Sequence, residues 1–153
     1  MASLDPNFHQ ETASIHREHA ELKEQLDQLD IALEKIMCYS EVLTNLSMAN
    51  QVMSRGKWIA EWLPKHYDHE ETTVLQTISK MSPELASFAR AMKRQHNQLR
   101  VRLEHFHEHI SHLEQTRHVA DAVAELKQEG KDLTRMLRLH MAVEEKKLDS
   151  IEN

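Results

Sequence analysis

The sequence is short of the residues that most fold classes depend on. Its 153 residues include only 2 glycines and 3 prolines, about 3% of the chain where an average soluble protein has about 12%. All-β folds, which turn often on those residues, are therefore excluded. A single cysteine, Cys38, allows neither an internal disulfide nor a thiolate cluster. No apolar run approaches the roughly 18 residues of a membrane span, and the opening MASLDPNFHQET lacks the charged-then-apolar layout of a secretion signal. Basic residues number 19 against 25 acidic, a net charge of -6, and they are scattered along the chain. Nucleic acid is thus not expected as a partner, nor is a membrane. The expectation is a soluble cytoplasmic protein with one domain spanning 1–153 and its oligomeric state open.

What the chain has in excess is histidine, 12 residues. Histidine is the commonest metal ligand and the usual proton carrier near neutral pH, so its placement matters. Apolar residues recur at alternating steps of three and four, the signature of helices burying one stripe, and no stretch alternates with period two. Four helices are predicted, at roughly 10–38, 44–80, 83–114 and 117–151. The first stripe reads Ile15, His19, Leu22, Leu26, Leu29, Leu33, Ile36, with His19 where an apolar residue belongs. The second turns polar at His66 and Glu70, the third at His96, the fourth at His140 and Glu144. Ser82-Pro83-Glu84 is a good start signal for the third helix, with Ser82 as N-cap. Pro64 is expected to kink or break the second.

Long amphipathic helices joined by short turns imply an all-α, antiparallel up-down-up-down four-helix bundle. With turns near 41, 81 and 116, His66 and His96 each lie 15 residues from the second turn, and the other neighbouring pairs differ by three or four residues. At about 1.5 Å per residue those mismatches are about 5–6 Å, one helical turn. All four polar interruptions therefore fall at one level of the core.

Four imidazoles and two carboxylates in a core are costly unless they satisfy one another or ligate metal. Both HxxxE spacings, His66–Glu70 and His140–Glu144, put imidazole and carboxylate on one helical face, one turn apart. Each carboxylate can then bridge two cations while each histidine ligates one. Without thiolates, mixed imidazole and carboxylate ligation suits iron, with manganese or zinc as competitors. The six residues supply about eight of the roughly twelve positions of two octahedral ions, so the metal site in the core is an open one. A single stripe histidine is more often a hydrogen-bonded core residue; four breaks at one height reverse that reading. His105, His109 and His112 read as a solvated face, Glu71 and Glu145 as exposed neighbours, and His16 and His69 as outer donors or alternate ligands. Trp58 and Trp62 read as packing residues, and Tyr67 as a packing residue placed to donate into the site.

The segments EHAEL around His19, HYDHEETTVL from His66, RQHNQL around His96 and HMAVEEKKL from His140 resemble the hemerythrin-like family, the HHE cation-binding domains. The resemblance covers nearly the whole chain in the family's order. It implies a four-helix bundle around two iron ions bridged by oxygen (oxo or hydroxo), with His19, His66, Glu70, His96, His140 and Glu144 as the metal ligands. It also implies a role in binding O2 or another small oxidant, NO or peroxide, in sensing or stress response, so that the partner is a small diatomic ligand or peroxide. Binding or sensing is favoured over dedicated catalysis; a peroxidase-like scavenging enzyme and iron storage or donation are the alternatives. Respiratory members carry a second histidine one turn from the His96 position, where this chain has Met92 and Arg100. Their fourth-helix carboxylate lies one residue later, which makes Glu145 an alternative ligand. The pattern is closer to the sensor and stress-response branches and to the proteins for repair of iron centres, the last of which usually have an extra cysteine-containing N-terminal segment not seen here. A metal-free helical module whose stripe histidines switch with pH is the reading from a different class.

Overall fold

Asp5 and Pro6 start the first helix in the same manner as Ser82 and Pro83 start a later one. The Asp5 side chain accepts from the Asn7 amide at 2.9 Å and the Ser82 hydroxyl from the Leu85 amide at 3.1 Å. Pro at the first helical position forfeits no hydrogen bond. The computed structural model describes the backbone of residues 4–38, 42–115 and 119–153, and side-chain surroundings for 4–36, 49–112 and 123–153. The helices are α1 (Pro6–Cys38), α2 (Val42–Thr72), α3 (Val74–Ser79), α4 (Pro83–Gln115) and α5 (Val119–Glu152). The predicted turns near 41 and 116 lie outside the described residues. α1 begins four residues before its predicted start because Asp5 caps it and Pro6 takes its first helical position.

The second predicted helix differs in where it breaks. The chain stays helical through Pro64 and is interrupted at Thr73 instead. Thr72 and Thr73 donate their hydroxyls back to the carbonyls of Asp68 and His69 at 2.7 and 2.6 Å. Such back-bonding competes with the helical ladder and bends it. α3 then resumes the same course, burying Val74, Leu75 and Ile78.

The architecture is an all-α antiparallel bundle. α1 packs on α2 and α5, α4 on α5, and the α2–α3 arm on α4. Among the described residues its core has two apolar parts. The larger is built on Leu22, Leu26, Leu29, Leu33, Ile59, Leu63, Leu99, Leu103, Phe106, Leu133 and Leu137; the smaller on Phe8, Ile15, Val74, Leu75, Ile78, Met92 and Leu148. Each stripe runs through both parts, and every buried His and Glu lies in between, so these residues form a layer with mainly apolar packing above and below; the other buried polar side chains among the described residues are Thr12 and Thr134. Both glycines serve one ring. A Cβ at Gly56 would meet Phe106 Cε1 at 3.0 Å and Ile110 Cδ1 at 2.8 Å, and one at Gly130 would meet Phe106 Cε2 at 3.0 Å and Leu33 Cδ1 at 2.6 Å. Their lack of a side chain lets α2 and α5 close on Phe106 from opposite edges.

Candidate metal centre

His19 comes from α1, His66 and Glu70 from α2, His96 from α4, and His140 and Glu144 from α5. All six are buried, none more than 4% exposed. Four and three residues, respectively, form two sets close enough to hold a metal ion: Glu70, His96, His140 and Glu144, and His19, His66 and Glu70. The two sets share Glu70. Its Oε1 lies 2.9 Å from His19 Nε2 and 2.5 Å from His66 Nε2, and its Oε2 lies 3.1 Å from His96 Nε2. Glu144 belongs to the first set, with Oε1 3.2 Å from His140 Nε2 and Oε2 3.4 Å from His96 Nε2, and reaches toward the second through the same Oε1, 3.5 Å from His19 Nε2. Glu70 alone turns its two oxygens to opposite sides of the cluster. All four imidazoles turn Nε2 inward.

Their Nδ1 atoms face outward, and each finds a polar group from a neighbouring helix. His19 Nδ1 lies 3.1 Å from Glu145 Oε1, His66 Nδ1 3.6 Å from Glu18, His96 Nδ1 3.8 Å from Glu71, and His140 Nδ1 2.7 Å from Gln95 Oε1. Every one of these partners is the chain neighbour of another cluster residue. Glu18 on α1 serves α2, Glu71 on α2 serves α4, Gln95 on α4 serves α5, and Glu145 on α5 serves α1. The ring of contacts closes around the bundle. Only Glu145 and Gln95 make hydrogen bonds, which fix the orientation of His19 and His140 and leave the inner nitrogen free to ligate; Glu18 and Glu71 stand farther off. Sequence reasoning missed Glu18 and Gln95 and read Glu71 and Glu145 as exposed, whereas both are only about a fifth exposed, at 20% and 21%. The available signal was adjacency: on a helix, the residue beside an inward-facing one points sideways, at the next helix.

The other expected positions are distributed around this ring. His69 Nδ1 shares Glu18 with His66, at 2.8 Å. His16 turns to Asp149 at 3.0 Å, outside the cluster. His105 and His112 are exposed, and His109 is half-buried beside Glu125. Arg100, one turn after His96, sets its guanidinium over the Tyr67 ring at 5.5 Å and 3.6 Å from Glu71. Tyr67 itself stacks on His96 with ring centroids 3.8 Å apart.

The electrostatics show how tightly these groups are tied. Burial alone would lower the His19 pKa, but Glu144 and Glu70 override it and push it up to about 10. His96 is raised against the same opposition to about 9. Burial likewise opposes the rise at His66, which Glu18 and Glu70 produce. Burial favours a protonated Glu70, yet His19, His66 and His96 hold its pKa well below the usual carboxylate range. Glu144 is also lowered, against burial and the Glu70 charge, by His140, His19 and His96. Burial, then Glu70 and Glu144, raise the Tyr67 pKa well above its ordinary value.

Even so, the residues do not fully satisfy one another. Among the described residues, the inward-facing Nε2 of His96 and of His140, Oε2 of Glu70 and Oε1 of Glu144 lack a hydrogen-bond partner of proper geometry, as do the outward-facing Nδ1 atoms of His66 and His96. Orphaned buried polar atoms are rare and call for an ion or water. Imidazole nitrogens and carboxylate oxygens facing one another within 4.8 Å are the donor set a hard or borderline transition-metal ion takes. The residues present fit a bound cation. No curated relative and no solved structure matches the chain. The description hemerythrin HHE cation binding domain matches residues 5–149, and the chain belongs to that family.

Proposed function

We propose that the protein is a cytoplasmic non-haem di-iron protein that binds a small oxidant, O2, NO or peroxide, in sensing or stress response. In this reading His19, His66, Glu70, His96, His140 and Glu144 would hold the two ions. The observation that carries it is the shared Glu70, whose two oxygens face histidines on opposite sides of a buried cluster. Two iron ions in such a site supply reversible electron transfer and coordination positions open to a diatomic or peroxide ligand. The chain's own residues exclude bulk water, orient His19 and His140 through Glu145 and Gln95, and set the Glu18 and Glu71 carboxylates near His66 and His96. The lone cysteine fits a reducing compartment.

A groove of about 230 Å³ between α4 and α5, lined by Gln95, Gln98, Leu99, Met136, Leu139 and Val143, borders His140 and is the approach this reading gives to the ligand. Such a lining admits a small uncharged molecule more readily than a hydrated ion. One observation favours the peroxide-scavenging alternative: the Tyr67 hydroxyl is buried without a hydrogen-bond partner, so its O–H is free to donate a hydrogen bond to a bound ligand. Anaerobic reconstitution with ferrous iron tests the proposal. Near two irons per chain, a near-ultraviolet charge-transfer band on oxidation, and spectral changes on adding O2, NO or peroxide are expected. A purified chain that takes up no transition metal overturns it.

A further inference from the structure

The chain has 2 tryptophans, and both stand on one face of α2 in line with a cluster histidine. Trp58, Trp62 and His66 follow at four-residue intervals, so each ring sits one turn above the last. The Trp58 and Trp62 rings are stacked, 5.4 Å between centroids and 17° between planes; Trp62 and His66 are stacked more closely, at 4.6 Å and 15°. The column ends inside on His66, which is buried and meets Glu70 Oε1 through Nε2. It ends outside on half-buried indoles that pack against the larger apolar core. Packing explains why the rings touch. It does not require that the only two indoles of the chain be stacked in series onto a residue of the buried cluster.

We propose that Trp58, Trp62 and His66 form an electron route between the metal site and the surface of α2. Indole gives up an electron more readily than the other aromatic side chains, and π systems in contact pass an electron on by tunnelling. With hydrogen peroxide as the oxidant at a loaded site, Trp62 would give up one electron toward His66 and become an indole radical. Trp58 refills Trp62, and an external one-electron reductant of the ascorbate class refills Trp58. Two such electrons and two protons turn each peroxide into two waters; within the protein no bond between heavy atoms forms or breaks, and any indole N–H proton released on oxidation returns on reduction. The route supplies electrons one at a time to a site too enclosed for a reductant to touch, and it draws oxidising equivalents away from the histidines.

This inference rests on metal at the cluster, so metal is counted first; a chain without iron fails the functional reading and the route together, at that step. The iron-loaded protein is then exposed to a small excess of hydrogen peroxide and the oxidised residues are located by peptide mass mapping. Oxidation is expected at Trp58 and Trp62 in the loaded protein and at neither in the metal-free one. In Trp62→Phe, Trp58 oxidation is expected to fall to the metal-free level at equal metal count; in Trp58→Phe the modification accumulates at Trp62. Ascorbate suppresses oxidation of both indoles in the wild type. Equal oxidation of Trp58 with and without Trp62, which marks attack from solution, overturns the proposal. So does the absence of indole oxidation in the iron-loaded wild type. Should Trp62→Phe fail to load iron, Trp58→Phe decides, and an unchanged level at Trp62 overturns the proposal.

Discussion

Phe106 and Glu70 lie on neighbouring helices of one core, α4 and α2, and are held in opposite ways. Phe106 is fully buried between two helices that carry glycine where its ring needs space, and its surroundings are complete without anything added. Glu70 is equally buried, ringed by three imidazoles, and still has an oxygen without a hydrogen-bond partner among the described residues. The apolar part is therefore built for stability. The polar layer is tolerated at a cost, because buried ionised groups lose hydration that their mutual attraction returns only in part. In a bundle, such a layer is retained for what it can bind.

The comparison breaks most visibly at Phe106. Phe106→Ala empties a ring-sized space that Gly56 and Gly130 cannot fill, and a loss of about 3–5 kcal/mol in chemical-denaturant unfolding is expected, alike with and without metal. A much smaller loss in the metal-loaded protein alone would mean that the two parts are not independent. Next in size is metal itself. An ion that binds only the folded chain adds about 2.7 kcal/mol at a hundredfold excess over Kd. Iron loading should therefore raise Tm, and a chelator should reverse the rise. An unchanged Tm would favour the metal-free pH-switch reading.

The pH dependence separates the two states further. In the metal-free fold the pairs of His19 and His96 are stabilising below the ordinary histidine value of 6.5, and that stability is lost as pH rises through about 9 to 10. The depressed carboxyls of Glu70 and Glu144 act in the other sense, stabilising above their ordinary 4.5 and failing as pH falls. Metal-free stability should then be greatest between those two ordinary values and decline toward alkaline pH. Metal binding needs neutral imidazoles, so loading near pH 7 should release protons, about two per chain if His19 and His96 are the main sources. The gain in Tm on loading should grow as pH rises toward 9. Calorimetry in buffers of different ionisation enthalpy measures the protons, and a gain that shrinks with pH would contradict the assignment.

Much of this was legible before any coordinates. The three-and-four stripes gave the helices because apolar periodicity reflects burial directly, and Ser82-Pro83 marked a start because capping is local. The shared height of the polar breaks at His19, His66, His96 and His140 followed from helix rise alone. The break at Thr73 was not legible, since whether a threonine bonds back onto its own helix depends on tertiary packing. Nor were Glu18 and Gln95, because an outer partner is defined by the rotation of one helix against the next, which a stripe pattern leaves free. The Trp58–Trp62–His66 stack had the right spacing in the sequence, but spacing does not say whether rings lie parallel or splay apart.

The outer partners offer the finest test, because they differ in how closely they approach. Gln95 lies 2.7 Å from His140 Nδ1 and Glu145 3.1 Å from His19 Nδ1, whereas Glu18 and Glu71 stand 3.6 and 3.8 Å from His66 and His96. Only the first two are within hydrogen-bond reach, so only they hold their rings firmly. Removing such a partner typically weakens metal binding about 10–100-fold. Gln95→Ala and Glu145→Ala should fall in that range by chelator competition, with Glu18→Ala and Glu71→Ala below it. Glu145→Ala also strands Lys23, but that ammonium is 45% exposed and solvent takes it up. The fold should therefore survive while affinity drops. Equal effects at all four positions would mean that general charge near the cluster governs affinity; a graded series means that the orientation of each imidazole does.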